Sequence, residues 1–234
     1  VISLRGVSYS YPGGERALDA VSLEAPAGGL LVLAGANGSG KSTLLGILAG
    51  LFAPDSGEAE VRGRVRLMVQ QSDLEILGAT VGEDLMLGRE RQGAQVREQA
   101  RDTAARLGLD GMWETPVSAL SFGQRRKLCL ASALLDNPDV LLLDEPFSGL
   151  DYLAVREMRG HLAANREQGL AQVAATHDLE PFLDLADAAA VLDGGRLAAF
   201  GPLEEVLESV ENHGVRAPCA WRMRRGLPPW EGTP

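Results

Sequence analysis

The run Gly35-Ala-Asn-Gly-Ser-Gly-Lys-Ser42 follows a five-residue apolar stretch, Leu30–Ala34, and opens the helical stretch Lys41–Leu51. It fits the pattern G-x-x-x-x-G-K-[ST] in its proper setting of strand, loop and helix. A buried strand feeding such a loop restricts the chain to an α/β core with a mainly parallel sheet. The residue types have physical reasons. Asn37, Gly38, Ser39 and Gly40 form a loop in which glycine freedom lets backbone N–H groups wrap a phosphate. The helix that starts at Lys41 points its positive end at the same charge. Lys41 has the reach for the β- and γ-phosphates, Ser42 carries a hydroxyl suited to Mg²⁺, and Thr43 adds a phosphate contact. Taken alone, the motif predicts a bound nucleotide and leaves kinase, GTPase and motor open.

The composition supports a folded core and narrows the partners. The chain has 234 residues, of which 45% are hydrophobic, and a formal net charge of −10. That charge disfavours nucleic acid as a partner, because phosphate neutralisation needs a basic face. No apolar run approaches the roughly 18 residues of a membrane span. Val1–Ser10 lacks the basic-then-apolar order of a signal peptide, so a cytoplasmic placement is expected. Cys129 and Cys219 are too few for a disulfide framework or a zinc site and are read as reduced thiols.

Periodicity predicts the remaining elements. Ile2–Ser22 reads as short strands around a turn at Pro12-Gly13-Gly14. Val61–Val69 reads as one strand. Between Thr80 and Asn137 apolar residues recur at helical spacing, most clearly in Arg97–Leu107 and Gly123–Leu135, which predicts an inserted helical subdomain. Val140–Leu143 and Leu170–Ala175 read as buried strands, with a helix at Leu153–Glu167 between them. Ala188–Leu192 and Arg196–Phe200 flank a hairpin turn at Asp193-Gly194-Gly195. Pro202–Glu211 reads as helix, and no clear period follows Gly214. The expected division is a core at 1–79 and 137–207, a helical subdomain at about 80–136 and a C-terminal extension at 208–234.

A second motif adds chemistry. The hydrophobic strand Val140–Leu143 ends in Asp144 and Glu145. A rigid strand end can hold Asp144 near a Mg²⁺ shell and place Glu145 one step further, where it polarises a water aimed at the γ-phosphate. Adjacent carboxylates also disfavour each other's ionisation, which raises one of the two pKa values.

Leu120-Ser-Phe-Gly-Gln124 stands just before that strand and resembles the LSGGQ signature of ABC ATPases, with Phe122 in place of the first glycine. Together with the phosphate loop, the Asp-Glu strand, Ser148-Gly-Leu-Asp151 and Thr176-His-Asp178, the order and spacing are similar to that family from Ile2 to Leu207. The resemblance implies an α/β fold of the P-loop NTPase type with an N-terminal antiparallel β subdomain, and an active Mg²⁺-dependent ATPase. It implies that Tyr11 stacks on adenine and that Gln70 joins the core to the helical subdomain near Mg²⁺ and the attacking water. The spacing to Thr80-Val81 and Gly82-Glu83-Asp84 favours Gln70 over Gln71 for that role. It further implies that Ser121, Gly123 and Gln124 belong to the loop that meets ATP held by a partner chain. Asp151 then lies at the dimer interface, and His177 contacts the γ-phosphate. His161 and His213 carry no motif.

Tyr9-Ser-Tyr-Pro12, Asp73-Leu-Glu-Ile-Leu77, Thr80–Asp84 and the LSFGQ form look most like the ATPases of energy-coupling factor importers of vitamins, cobalt or nickel. That branch implies a homodimer or heterodimer, an integral membrane scaffold and a small membrane substrate-binding subunit, with this chain peripheral on the cytoplasmic face. Asp73 and Glu75 are candidates for an acidic groove that receives scaffold arginines; an ordinary solvated acidic face is the alternative. The stretch Arg216–Trp230 mixes Arg and Trp and reads as a dimer contact, a lipid contact or a loose tail. The rival functions are a soluble ABC ATPase acting on protein or nucleic-acid assemblies, and the ATPase of another importer or exporter class.

Overall fold

A computed structural model describes residues 2–25, 28–71 and 75–225. The core is a six-stranded sheet in the order β5-β6-β7-β3-β8-β9, formed by β3 (Leu30–Ala34), β5 (Val65–Met68), β6 (Val140–Asp144), β7 (Ala171–Thr176), β8 (Ala188–Asp193) and β9 (Arg196–Pro202). Its pairs are parallel except for β8 with β9. Every residue of β3, β6 and β7 is buried. A parallel strand covered on both faces reads as an unbroken apolar run, which is why these three were legible as buried strands.

Side chains alternate between two cores. Leu30, Val32 and Ala34 join one core with Leu85, Ala104, Leu128 and Leu162. Leu31 and Leu33 join the other with Ile2, Leu4, Val21, Leu44 and Ile47. Each fully buried leucine contributes about 1.5–3 kcal/mol. The second core lies under a three-stranded antiparallel sheet in the order β2-β1-β4, built from β1 (Ile2–Ser10), β2 (Arg16–Ala25) and β4 (Ser56–Val61).

Helix α1 (Lys41–Leu48) follows β3. Helices α2 (Val81–Met86), α3 (Ala94–Arg106) and α4 (Phe122–Leu135) lie in the chain between β5 and β6 and pack on one another. Thr80 caps α2 by accepting from the Glu83 N–H, and a capping box starts α4. Helix α5 (Tyr152–Glu167) starts at Asp151, whose carboxylate accepts from the Ala154 N–H at 2.8 Å. Among the described residues, no helix is long and apolar enough to cross a membrane.

Three expectations need correction. The single strand expected over Val61–Val69 is two strands in different sheets, β4 ending at Val61 and β5 starting at Val65. Gly63, at φ +104°, turns the chain between them, and Asp139 packs where its side chain would be. The helix expected over Pro202–Glu211 is a short α6 (Leu203–Val206) and a separate 3₁₀ turn, Val210–His213. The stretch without a clear period contains α7 (Cys219–Arg224), held by ion pairs Arg222–Glu211 and Arg225–Glu208. A helix of six residues is too short to display a period. Asp73 and Trp230 lie outside the described residues.

Candidate functional site

Four neighbouring parallel strands, β5, β6, β7 and β3, end on the same edge of the core sheet. The segments leaving them carry Gln70, Asp144 with Glu145, His177, and the loop from Gly35. Such an edge is where open α/β sheets bind ligands, because the loops fan out from strand ends. A cleft of about 390 Å³ opens there, lined by Tyr11, Asn37, Gly38, Gly40, Lys41, Ser42, Thr43, Gln70, Glu145 and His177, together with Glu15, Arg16 and Ala17.

The glycine-rich loop is closely packed from outside. Gly40 has φ +101°, and a Cβ there would lie 2.5 Å from the Ala17 carbonyl oxygen. The β8–β9 turn braces the loop through Gly195 N–H donating to the Ser39 carbonyl at 3.1 Å. Lys41 is buried, and its Nζ donates to the carbonyls of Gly35 at 2.8 Å and Ala36 at 3.0 Å. Burial pulls the Lys41 ammonium below its ordinary pKa, while the charges of Glu145 and Asp144 act in the opposite sense. A desolvated cation at the start of a helix that follows a glycine-rich loop is matched to a polyanion.

Asp144 and Glu145 are both buried. Burial raises the Asp144 carboxyl above its ordinary pKa; the Ser42 hydroxyl hydrogen-bonds it and opposes that rise, and Glu145 adds to it. Asp144 Oδ1 has no hydrogen-bond partner among the described residues. An orphaned carboxylate oxygen beside the Ser42 hydroxyl, with Ser42 and Gln70 both on the cleft, fits a hard cation that completes its shell with phosphate and water oxygens. Among the described residues no group of three or more His, Cys, Asp or Glu side chains could hold a metal by itself. The donor set suits Mg²⁺ arriving with a nucleotide.

The carboxylate of Glu145 is held at both oxygens. His177 Nδ1 lies 2.8 Å from Oε1, and Thr176 Oγ1 donates to Oε2 at 3.4 Å. Its backbone is unusual too: Glu145 has φ +48°, one of three non-glycine residues with positive φ among those described. Such conformations cost about 1–3 kcal/mol and persist where surrounding bonds over-determine them.

Tyr11 stands at the cleft rim, with its ring edge-on to Phe52 and Tyr9. Its hydroxyl is 2.9 Å from Thr43 Oγ1, so the aromatic at the rim is tied to the phosphate loop. The other expected residues lie elsewhere. Ser121, Gly123, Gln124 and Asp151 are absent from the lining of this cleft. Ser121 and Gln124 form the capping box of α4: the Ser121 hydroxyl accepts from Gln124 N–H at 3.2 Å, and the Gln124 amide oxygen accepts from Ser121 N–H at 2.8 Å. Phe122 is exposed and packs over Gly149, joining the first turn of α4 to the segment before α5.

Two charged residues near the cleft, Arg126 and Glu75, have partners that no local motif announces. Arg126 on α4 is 0% exposed, and its guanidinium donates to the carbonyls of Val69 at 2.7 Å and Glu145 at 2.6 Å. Its signal was a charge on the buried stripe of α4, in register with Cys129, Leu130 and Ala133. Glu75, a candidate for an acidic groove, is half-buried and lines a small pocket with Asp84 and Asp136; its Oε1 accepts from Val69 N–H at 2.8 Å, and its Oε2 is buried. Burial raises the Glu75 carboxyl, against the Val69 hydrogen bond, Cys129 and the charge of Arg126.

Comparison with known proteins points to one family. Residues 18–148 match the family model described as ABC transporter. A cobalt import ATP-binding protein of Rhodobacter capsulatus is 35% identical over 239 residues, spanning 93% of this chain and 85% of the relative. A sulfate/thiosulfate import ATP-binding protein of Nocardia farcinica is 37% identical over 217 residues, spanning 87% of this chain and 66% of the relative. Among solved structures, a Clostridium perfringens subunit described as part of the ABC transporter complex cbiONQ superposes with a TM-score of 0.82 at 26% identity, covering 96% of this chain and 98% of that one.

Proposed function

The chain belongs to the ABC transporter family, whose ATP-binding subunits are ATPases coupled to transport, and from that membership we propose that it powers an importer of the energy-coupling factor type, for a metal ion or a vitamin. The observation that carries the catalytic part is the convergence of Lys41, Ser42, Gln70, Glu145 and His177 on one cleft. The LSFGQ form and the likeness to a cobalt import ATPase support the importer type.

In this reading the loop amides and Lys41 bind the β- and γ-phosphates, Thr43 adds a contact, and Tyr11 stacks on adenine. Bound Mg²⁺, held by Ser42 and Asp144 with Gln70 beside it, supplies neutralisation of charge on the phosphate oxygens. Glu145 orients water and accepts its proton as the water oxygen attacks the γ-phosphorus. His177 keeps the Glu145 carboxylate in place and meets the γ-phosphate. The buried setting strengthens each of these interactions.

Ser121, Gly123 and Gln124 lie outside the cleft that Lys41 lines, which supports a head-to-tail pair. A second copy or a related chain then contributes its signature loop, and Asp151 sits at the seam. ATP binds the two chains together, and loss of the γ-phosphate releases them. We assign 1–79 and 137–207 to the core, 80–136 to the helical subdomain that carries this motion, and 208–234 to an extension. The partners are a membrane scaffold and a small substrate-binding membrane subunit, with this chain on the cytoplasmic face. A second reading, the ATPase of another importer class, is favoured by the likeness to the sulfate/thiosulfate import protein.

Mass spectrometry of proteins that co-purify with the tagged chain from gently solubilised native membranes separates these. A scaffold and a small, very hydrophobic subunit are expected. Two permease subunits with a soluble binding protein would transfer the chain to the second reading, and soluble partners alone would remove the transport assignment.

A further inference from the structure

Arg126 is the largest of the fully buried side chains, and it lies on α4, outside every motif used above. Its two short hydrogen bonds end on carbonyls with particular positions. The Val69 oxygen belongs to the peptide bond that enters Gln70, and the Glu145 oxygen belongs to the peptide bond that leaves the proposed base. A weaker contact reaches the Asp144 carbonyl at 3.5 Å. One rigid planar guanidinium therefore spans the backbone of two segments that leave adjacent strands, β5 and β6.

Both peptides need such a hold. Glu145 sits at φ +48° and is followed by Pro146, which has no N–H to donate. Its backbone is fixed instead by its own N–H donating to Ala175 at 2.9 Å, by Ser148 N–H donating to its carbonyl at 3.1 Å, and by Arg126. On the other side, the N–H of Val69 donates to Glu75 while its carbonyl accepts from Arg126. Glu75 and Arg126 thus grip Val69 from both ends, and the charges of the two attract each other.

We propose that Arg126 is a positioning residue that couples the segment leading into Gln70 to the backbone of Glu145, so that displacement of the helical region reaches the hydrolytic carboxylate. Arg126 is absent from the lining of the cleft, and its short hydrogen bonds end on backbone carbonyls. It acts by keeping Glu145 in a backbone state that the residue avoids when free. The coupling is direct because α4 also carries Ser121 and Gly123 at its start, so one helix joins the signature loop, the Gln70 segment and Glu145.

The inference rests on the proposed role of Glu145, and the test keeps the two apart. Arg126→Gln, Arg126→Lys and Glu145→Gln are made in the full chain and compared with wild type. Turnover, titration with a fluorescent ATP analogue and thermal unfolding are measured for each. Arg126→Gln is expected to lower kcat by about ten- to a hundred-fold, the scale of a small misplacement. Affinity for the analogue is expected to stay within about threefold, because ground-state binding is not altered. Arg126→Lys recovers part of kcat, since an ammonium reaches one carbonyl but not both. If Arg126→Gln does not fold, the Lys variant gives the same reading by its split between kcat and affinity. Wild-type kcat in a folded Arg126→Gln, or kcat and affinity falling together with the melting temperature, overturns the proposal. Wild-type turnover in Glu145→Gln instead removes the parent assignment.

Discussion

The Nδ1 atom of His177 lies 2.8 Å from Oε1 of Glu145, joining the residue after β7 to the residue after β6. The two are 32 positions apart in sequence, and parallel pairing of Asp144 with Ala175 brings them together. The contact holds the carboxylate where it faces the phosphate loop. Glu145→Gln keeps the shape and removes the base. Its turnover is expected to fall at least about a hundred-fold with ATP binding retained. Native mass in the presence of ATP should then show a lasting dimer; wild-type turnover would remove Glu145 from its role.

Lys41 is buried with two backbone carbonyls as its partners. Lys41→Ala removes a charged contact worth about 1.5–3 kcal/mol to a bound phosphate. Affinity for a fluorescent ATP analogue should drop by about ten- to a hundred-fold on that scale. Unchanged affinity would mean that the phosphates rest on backbone amides alone.

The Tyr11 hydroxyl bonds to Thr43, while the Tyr11 ring offers a stacking face. The two contributions separate by substitution. Tyr11→Phe loses one hydrogen bond of about 1 kcal/mol, so ATP affinity should change by less than about fivefold. Tyr11→Ala loses the stacking face, worth about 1–3 kcal/mol per base, and should bind ATP about tenfold more weakly or worse. Equal affinities for the two variants would count against adenine stacking.

Asp136 follows α4 and is bridged by Arg66 and Arg89. Burial alone raises its carboxyl, but hydrogen bonds from both arginines and their charges hold it below the ordinary value of 3.8. A depressed acid stabilises the fold above the unfolded pKa and loses that contribution as pH falls through the folded one. Asp136→Asn should therefore lower stability at neutral pH by about 1 kcal/mol, discounted for solvent screening. The difference from wild type should shrink as the pH drops below 3.8, which thermal melts across pH can follow. A gap that is constant with pH would place the effect in packing, not in charge.

Gly82 lies under Trp113, and a Cβ there would sit 2.3 Å from the indole Nε1. Gly82→Ala should destabilise the fold by about 1–3 kcal/mol through overpacking. Denaturant unfolding measures this directly. A neutral result would show that Trp113 yields freely.

The expected P-loop NTPase core is present, with its mainly parallel sheet, the antiparallel sheet of β1, β2 and β4, and the helices between β5 and β6. These were legible because burial on both faces writes an apolar run, helices write a 3.6-residue period, and a phosphate loop must use glycines. Local chemistry of this kind is encoded by neighbours in the chain. Lys41, Ser42, Gln70, Asp144, Glu145 and His177 could be named as candidates from their motifs. The convergence of Lys41, Ser42, Gln70, Glu145 and His177 on one cleft, with Asp144 buried behind Glu145, follows from the strand order.

Other features depended on contacts between distant segments. Nothing near Val61–Val69 shows that the chain changes sheets at Gly63, because the Asp139 that fills the space above that turn is distant in sequence. Glu75 looks like one more surface acid until Val69 and Arg126 are placed around it. Arg126 shows in the sequence only as a charge on an apolar stripe; what it grips is set by how α4 crosses the ends of β5 and β6. Which groups can do chemistry on a phosphate is written in the local motifs. Which buried polar groups hold them is settled by packing between distant segments, because a desolvated charge takes whatever partner packing brings within reach.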